Sequence, residues 1–353
     1  KKRSMYNYSA TKVDFSQKKV NVNNFHKINE KMLIKVLGTQ SPSKNEGEMT
    51  KLVLAFIHAN KIQCDIEVDK QGNVLITKGE SDLYPCFVSH LDEVNSIQSN
   101  RTILRLNNCL VGINVHTGCF AGTGGDDGVG VYICLEALLR FEKIKVAFFV
   151  SEEIGCIGSG AVDMKFFDNV MFAFQADRKG DDEIIQYSNG VDLMGADFKE
   201  MIKPIMDDYS YKFANGTSTD VGKLSSRGIG VVTMNIGCGY FEPHSLDEKV
   251  CISAVENCMN IMFKIADKCI ESGVKQTFVP EKKVYTNTSY RSYTGGYGGW
   301  HDGYGDEDDF YGNRVYSNKK LNEKIVKKSL TAEDTKNIKE YNNPEYWESF
   351  KVK

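Results

Sequence analysis

His90, Asp92, Asp126, Asp127, Glu152, Glu153, Asp177 and His244 fall in short motifs that follow one another along the chain. The motifs are Ser89-His90-Leu91-Asp92, Gly122-Thr123-Gly124-Gly125-Asp126-Asp127-Gly128-Val129-Gly130, Ser151-Glu152-Glu153-Ile154-Gly155, Gln175-Ala176-Asp177-Arg178 and Pro243-His244. Two imidazoles and several carboxylates form the donor set that a pair of zinc-like ions needs. An imidazole and a carboxylate cap each outer position, one carboxylate is shared, and one is left to act as base.

Each motif alone has a plainer reading. In an extended segment His90 and Asp92 share a face, so one can ligate while the other orients it; a His-x-Asp triplet is also common on surfaces. Adjacent Asp126 and Asp127 repel unless a cation compensates them, yet they could equally cap the helix that follows. Glu152 and Glu153 diverge in direction, which suits one ligand and one base, although such pairs are frequent solvated residues. Asp177 needs either Arg178 or a metal as partner, and His244 could be an ordinary loop histidine. His26, His58, His116 and His301 have no comparable surroundings.

The elements that would position these residues are legible in the apolar pattern. Two helices are expected between Phe25 and Lys61, broken at Thr39-Gln40-Ser41-Pro42-Ser43. Ile62–Val68 and Asn73–Thr77 read as a hairpin turning at Asp69-Lys70-Gln71-Gly72, and Thr102–Val115 as another turning near Asn107-Asn108. Short apolar runs at Cys86–Val88, Lys145–Val150, Val170–Phe174 and Gly228–Ile236 have the character of buried strands. His90, Glu152, Asp177 and His244 come at or soon after their ends. Helices are expected over Gly128–Phe141 and Ser253–Lys268. Ligands of open α/β sheets bind outside the carboxyl ends of the strands, so the expected fold is α/β, a three-layer α/β/α sandwich with a mixed central sheet.

Composition sets the remaining bounds. The 353 residues carry a formal charge of −3, which offers no basic footprint for nucleic acid. Ten cysteines are scattered without a CxxC pair, the pattern of reduced thiols in a cytoplasmic protein. No apolar stretch approaches membrane-spanning length, and Lys1-Lys2-Arg3 opens no signal-peptide core. The divisions expected are an N-terminal extension over 1–26, a catalytic domain over 27–284 and a tail over 285–353. The tail is rich in glycine, tyrosine and acid, with short helices possible at 319–328 and 332–341, a composition that suggests disorder.

Taken together, in order and context, the motifs resemble the co-catalytic di-zinc exopeptidases, the clan of leucyl and glutamyl aminopeptidases, peptidase T and the carboxypeptidase G relatives. The resemblance runs over about residues 27–272 and rests on several motifs in register. It implies His90 and Asp177 as ligands of one metal, Glu153 and His244 as ligands of the other, and Asp126 as the bridge. Asp92 would stand behind His90, and Glu152 would be the general base. A cis peptide between Asp126 and Asp127 is also implied. Asn215-Gly216-Thr217-Ser218-Thr219-Asp220 resembles the clan's Gly-Thr-Asp substrate loop, so Thr219 and Asp220 are candidates for substrate contact; the alternative is a cap for a short helix at Val221–Leu224. Relatives insert a lid domain either after the Asp177 motif or between Asp92 and Asp126. Both stretches are too short here, so no lid domain is expected.

The resemblance implies a metal-dependent aminopeptidase holding two divalent ions, zinc first and cobalt or manganese as substitutes, with a peptide or small amide as substrate. Deacylation of N-acyl amino acids on the same site is the alternative enzyme, and a catalytically idle scaffolding protein is the alternative from another class. Oligomeric state is left open.

Overall fold

The structure, a computed structural model, describes residues 26–281. The expected tail and nearly all of the expected N-terminal extension lie outside the described residues. Helices α1 (Glu30–Gly38) and α2 (Gly47–Ala59) lead into strands β1 (Asp65–Val68), β2 (Val74–Lys78), β3 (Tyr84–His90), β4 (Arg101–Leu106) and β5 (Cys109–Asn114). Then come α3 (Gly125–Arg140), β6 (Ile144–Phe149), α4 (Ile157–Ala161), β7 (Val170–Arg178), β8 (Glu183–Ser188) and β9 (Val191–Asp192). The remainder is α5 (Ala196–Tyr209), β10 (Lys212–Gly216), α6 (Asp220–Ser226), β11 (Thr233–Gly237), β12 (Tyr240–Phe241), β13 (Lys249–Cys251) and α7 (Ile252–Ser272).

The main sheet runs β1-β2-β6-β3-β7-β11-β8-β10, with β9 on β8. Its middle strands β6, β3, β7 and β11 are mutually parallel, while β2 and β8 beside them run antiparallel, so the sheet is mixed. Parallel strands are covered on both faces, which explains why β3 and β6 are buried at every position. Alternation sends Phe87, Val146, Phe148 and Phe174 into a core with α1, α2, α3, α5 and α7. Cys86, Val88, Ala147 and Phe149 point to the opposite face, against Val221 and Leu224 of α6. These are the three expected layers.

Two features differ from the sequence expectation. The hairpin β4–β5 does not stand alone: it continues through β13 to β12 as a second antiparallel sheet, with Lys249 opposite Val111. And β7 runs on to Arg178, so Asp177 lies within the strand's last residues rather than beyond it. Among the described residues no helix is long and apolar enough to cross a membrane.

Candidate metal centre

Because β3, β6, β7 and β11 run the same way, their carboxyl ends share one edge of the sheet, and each delivers a ligand-type side chain there. His90 is the last residue of β3, and its placement follows from the strand's burial. Glu152 and Glu153 follow β6 after Ser151, Asp177 comes from β7, and His244 from the loop between β12 and β13, a few residues beyond β11. Asp126 arrives from the other direction, at the start of α3. Gly124 before it takes a left-handed conformation (φ 65°), and the Asp126–Asp127 peptide is cis, as the resemblance implies. Asp126 and Asp127 are not helical themselves, so the regular helix begins at Gly128.

The two oxygens of Asp126 face different neighbours. Oδ1 lies 3.3 Å from His90 Nε2, which is also 3.6 Å from Asp177 Oδ1. Oδ2 lies 3.3 Å from His244 Nε2, which is 3.2 Å from Glu153 Oε2. Two pockets of donors thus share one carboxylate. Ligand atoms bonded tetrahedrally to zinc at about 2.0–2.1 Å are about 3.3 Å apart, which is the spacing found. His90 Nε2 and Glu153 Oε1 are buried without a hydrogen-bond partner, a costly state for polar atoms unless a cation takes their lone pairs. The residues therefore fit a pair of divalent ions.

Ligand-type atoms of His90, Asp126 and Glu153 cluster within 4.8 Å, and so do those of His90, Asp127 and Asp177. Asp127 nevertheless differs from Asp126. Its Oδ2 accepts from Ser89 Oγ (2.7 Å) and His90 N (3.0 Å), and its Oδ1 from Gly130 N (3.0 Å). With both oxygens engaged, Asp127 braces β3 against α3, and Asp126 is left for the ions.

Supporting contacts orient the ligands. His90 Nδ1 donates to the Asp92 carbonyl at 2.9 Å, which turns Nε2 toward Asp126 and Asp177 as the nitrogen a metal would take. The Asp92 carboxylate accepts from Glu152 N (2.9 Å), Glu153 N (3.3 Å) and Ser43 Oγ (2.7 Å), tying the β3 and β6 loops together. Asp177 Oδ2 accepts from Gln175 Nε2 and Thr219 Oγ1, each at 3.1 Å. Glu46 Oε1 holds the amide and hydroxyl of Ser151.

Thr219 and Asp220 are not at an open surface. Thr219 is buried behind Asp177, and Asp220 is wholly buried with Oδ1 accepting from Ser159 and Oδ2 unpartnered. The exposed members of that loop are Asn215, Thr217 and Ser218. Both Thr219 and Asp220 are drawn inward as α6 begins. Sequence reasoning missed Ser43, Glu46, Cys156, Gln175 and Glu248. Ser43 and Glu46 lie in the turn before α2 and Glu248 shortly after His244, but polar residues in loops give no local signal of long-range contacts.

The electrostatics show a site short of positive charge. Burial, then repulsion from Asp126, pushes the Asp177 carboxyl up to about 8. Burial does the same to Glu152, up to about 9, with Asp177, Asp220 and Glu153 adding to it against the pull of His90. Asp126 goes the other way: burial opposes ionisation, but His244 and His90 hold it below the usual carboxylate range. His244 is raised to about 10 by Asp126 and Glu153. Glu152 Oε1 also faces the Cys156 thiol at 3.2 Å.

No protein-family model matches the sequence, and no curated protein matches it. Solved structures do share its fold. The aminopeptidase PepT from Bacillus cereus is 15% identical with a TM-score of 0.57, over 68% of this chain and 98% of that one. A tripeptidase from Staphylococcus aureus is 13% identical with a TM-score of 0.53, over 69% of this chain and 100% of that one. A TET aminopeptidase from a marine sediment archaeon of the Thaumarchaeota is 13% identical with a TM-score of 0.51, over 69% and 98%. The fold is thus shared with these peptidases.

Proposed function

We propose that this chain is a two-ion metallo-exopeptidase acting as an aminopeptidase on peptides. The observation that carries the proposal is Asp126, whose two oxygens separate the pair His90 and Asp177 from the pair His244 and Glu153. His90, Asp177 and Asp126 would hold one ion, and His244, Glu153 and Asp126 the other, zinc foremost with cobalt or manganese as substitutes. When bound, such a pair supplies an activated water and polarises the scissile carbonyl. Glu152 accepts the proton of the attacking water on its carboxylate and delivers it to the leaving amine nitrogen as the C–N bond breaks. Asp92 keeps the imidazole of His90 in one tautomer, and Thr219 and Gln175 keep Asp177 turned toward it.

The fold relatives named aminopeptidases and tripeptidase support a peptide substrate. The choice of the amino end rests on charge. The groups around the centre are carboxylates, and Arg178 is engaged by Glu183 at 3.0 Å, so the site suits the positive α-ammonium of a peptide. The ten cysteines are unpaired, which fits a reducing cytoplasm.

The test compares a zinc-loaded sample acting on a free-amine peptide and on its N-acetylated twin, read by mass spectrometry. Residues should leave one by one from the free amino end only. Preferred attack on the twin would replace this reading by deacylation, and two intact peptides would refute both.

A further inference from the structure

Glu248 lies four residues after His244 and is 2% exposed. Its Oε2 accepts from Thr123 N (3.0 Å), Thr123 Oγ1 (2.9 Å), Gly124 N (2.7 Å) and Gly125 N (3.1 Å). Its Oε1 accepts from Asp126 N at 3.1 Å. Consecutive amides converging in this way form an anion-binding concavity, and here the anion is a carboxylate of the same chain. The glycines are what allow it. Gly124 is left-handed, and a Cβ on Gly125 would lie 2.8 Å from both Tyr240 Cβ and Val250 Cγ2, side chains of the strands that flank Glu248.

We infer that Glu248 is the positioning residue that holds Asp126 between the two ion positions and fastens the His244 loop to it. The inference rests on the two-ion reading above. Fixing the amide of Asp126 fixes the direction of its Cα–Cβ bond, and with it where both carboxylate oxygens can lie. Since Glu248 and His244 belong to one short loop, the same clamp sets the reach of His244 Nε2 to Asp126 Oδ2. One carboxylate therefore aligns two ligands that are distant in sequence. A carboxylate is suited to this because hydrogen bonds to an ionised acceptor are the strong ones, and a single oxygen here serves four donors.

The test uses the full chain, metal-free and then titrated with cobalt(II), with hydrogen exchange of the peptide spanning 122–127 measured before metal is added. Glu248→Gln keeps the size but turns an amino group toward amide donors. It should speed exchange there and weaken cobalt binding by about 10–100-fold, the usual effect of losing a partner behind a ligand, with an altered visible spectrum. Thr123→Val removes one contact from the clamp and should give a smaller change in the same direction; it serves if Glu248→Gln does not fold. Met206→Ala, in α5 and away from the loop, controls for general destabilisation and should leave affinity and spectrum unchanged. The inference is overturned if the folded loop variants bind cobalt like the parent, or if Met206→Ala weakens binding as much. A parent that binds no cobalt would refute the two-ion reading as well, whereas a parent binding two ions beside an unaltered Glu248→Gln would refute the clamp alone.

Discussion

Asp126 and Asp127 are neighbours of the same chemistry, as are Glu152 and Glu153, and in each pair the backbone divides the work. Asp127 is consumed by Ser89, His90 and Gly130, whereas Asp126 is left facing two imidazoles. Glu153 reaches His244, whereas Glu152 points to the Cys156 thiol and stays outside both donor groups. Glu152→Gln should therefore lower kcat by about 10²–10⁴-fold, the usual worth of proton-transfer catalysis, with the metal content unchanged by elemental analysis. Glu153→Gln should lose one ion. The reverse pattern would exchange the two roles. The site's members were legible in the sequence as a set, because several acid and imidazole motifs in order are rare by chance. Which acid of each pair ligates was not legible, since it depends on the turn each loop makes after its strand, and the sequence resemblance alone implied it.

At the scale of elements, the position of Asp177 depends on a defect in the sheet. The register of β11 against β7 shifts between Asn235 and Gly237, and the Asn235 side chain stands in for the lost ladder. Its Oδ1 accepts from Asp177 N and its Nδ2 donates to Asp177 O, both at 2.9 Å. Such a shift re-aims the side chains beside it, and here it coincides with the residue that faces His90. Asn235→Ala leaves two backbone groups without partners, so it should cost about 1–3 kcal/mol in urea unfolding; a loss under a few tenths would mean that water replaces the amide. The strands β3, β6 and β7 were legible because double burial makes them continuous apolar runs, and the helices α3 and α7 because of their periodicity. The second sheet was not, since pairing of β13 with β5 joins segments far apart in the chain and leaves no local mark. Helix α5 also went unread because Pro204 falls inside it, although Phe198, Ile202, Met206 and Tyr209 recur at helical spacing.

At the scale of the molecule, the two cores found among the described residues and all the candidate site residues lie between 26 and 281. Removing residues after 284 should therefore leave metal content and the hydrolysis of short peptides unchanged, and loss of either would place part of the site in the tail. The same concentration of acids makes global stability depend on pH and metal together. In metal-free protein His244 is raised from its ordinary value to about 10, so its contribution is full below about 6.5 and fades as pH rises through about 10. Asp177 and Glu152, raised to about 8 and about 9, favour folding when protonated, and that support also drains away as pH climbs from the ordinary carboxylate range through those values. Both signs agree: metal-free protein weakens toward alkaline pH. Bound ions reverse the logic, since they need the carboxylates ionised and the imidazoles neutral, and compete with fewer protons as pH rises. Melting temperatures of zinc-loaded and metal-free protein should accordingly draw apart between about pH 6 and about pH 9. A gap that stayed constant or narrowed over that range would mean these acids and imidazoles are not the ones that receive the metal.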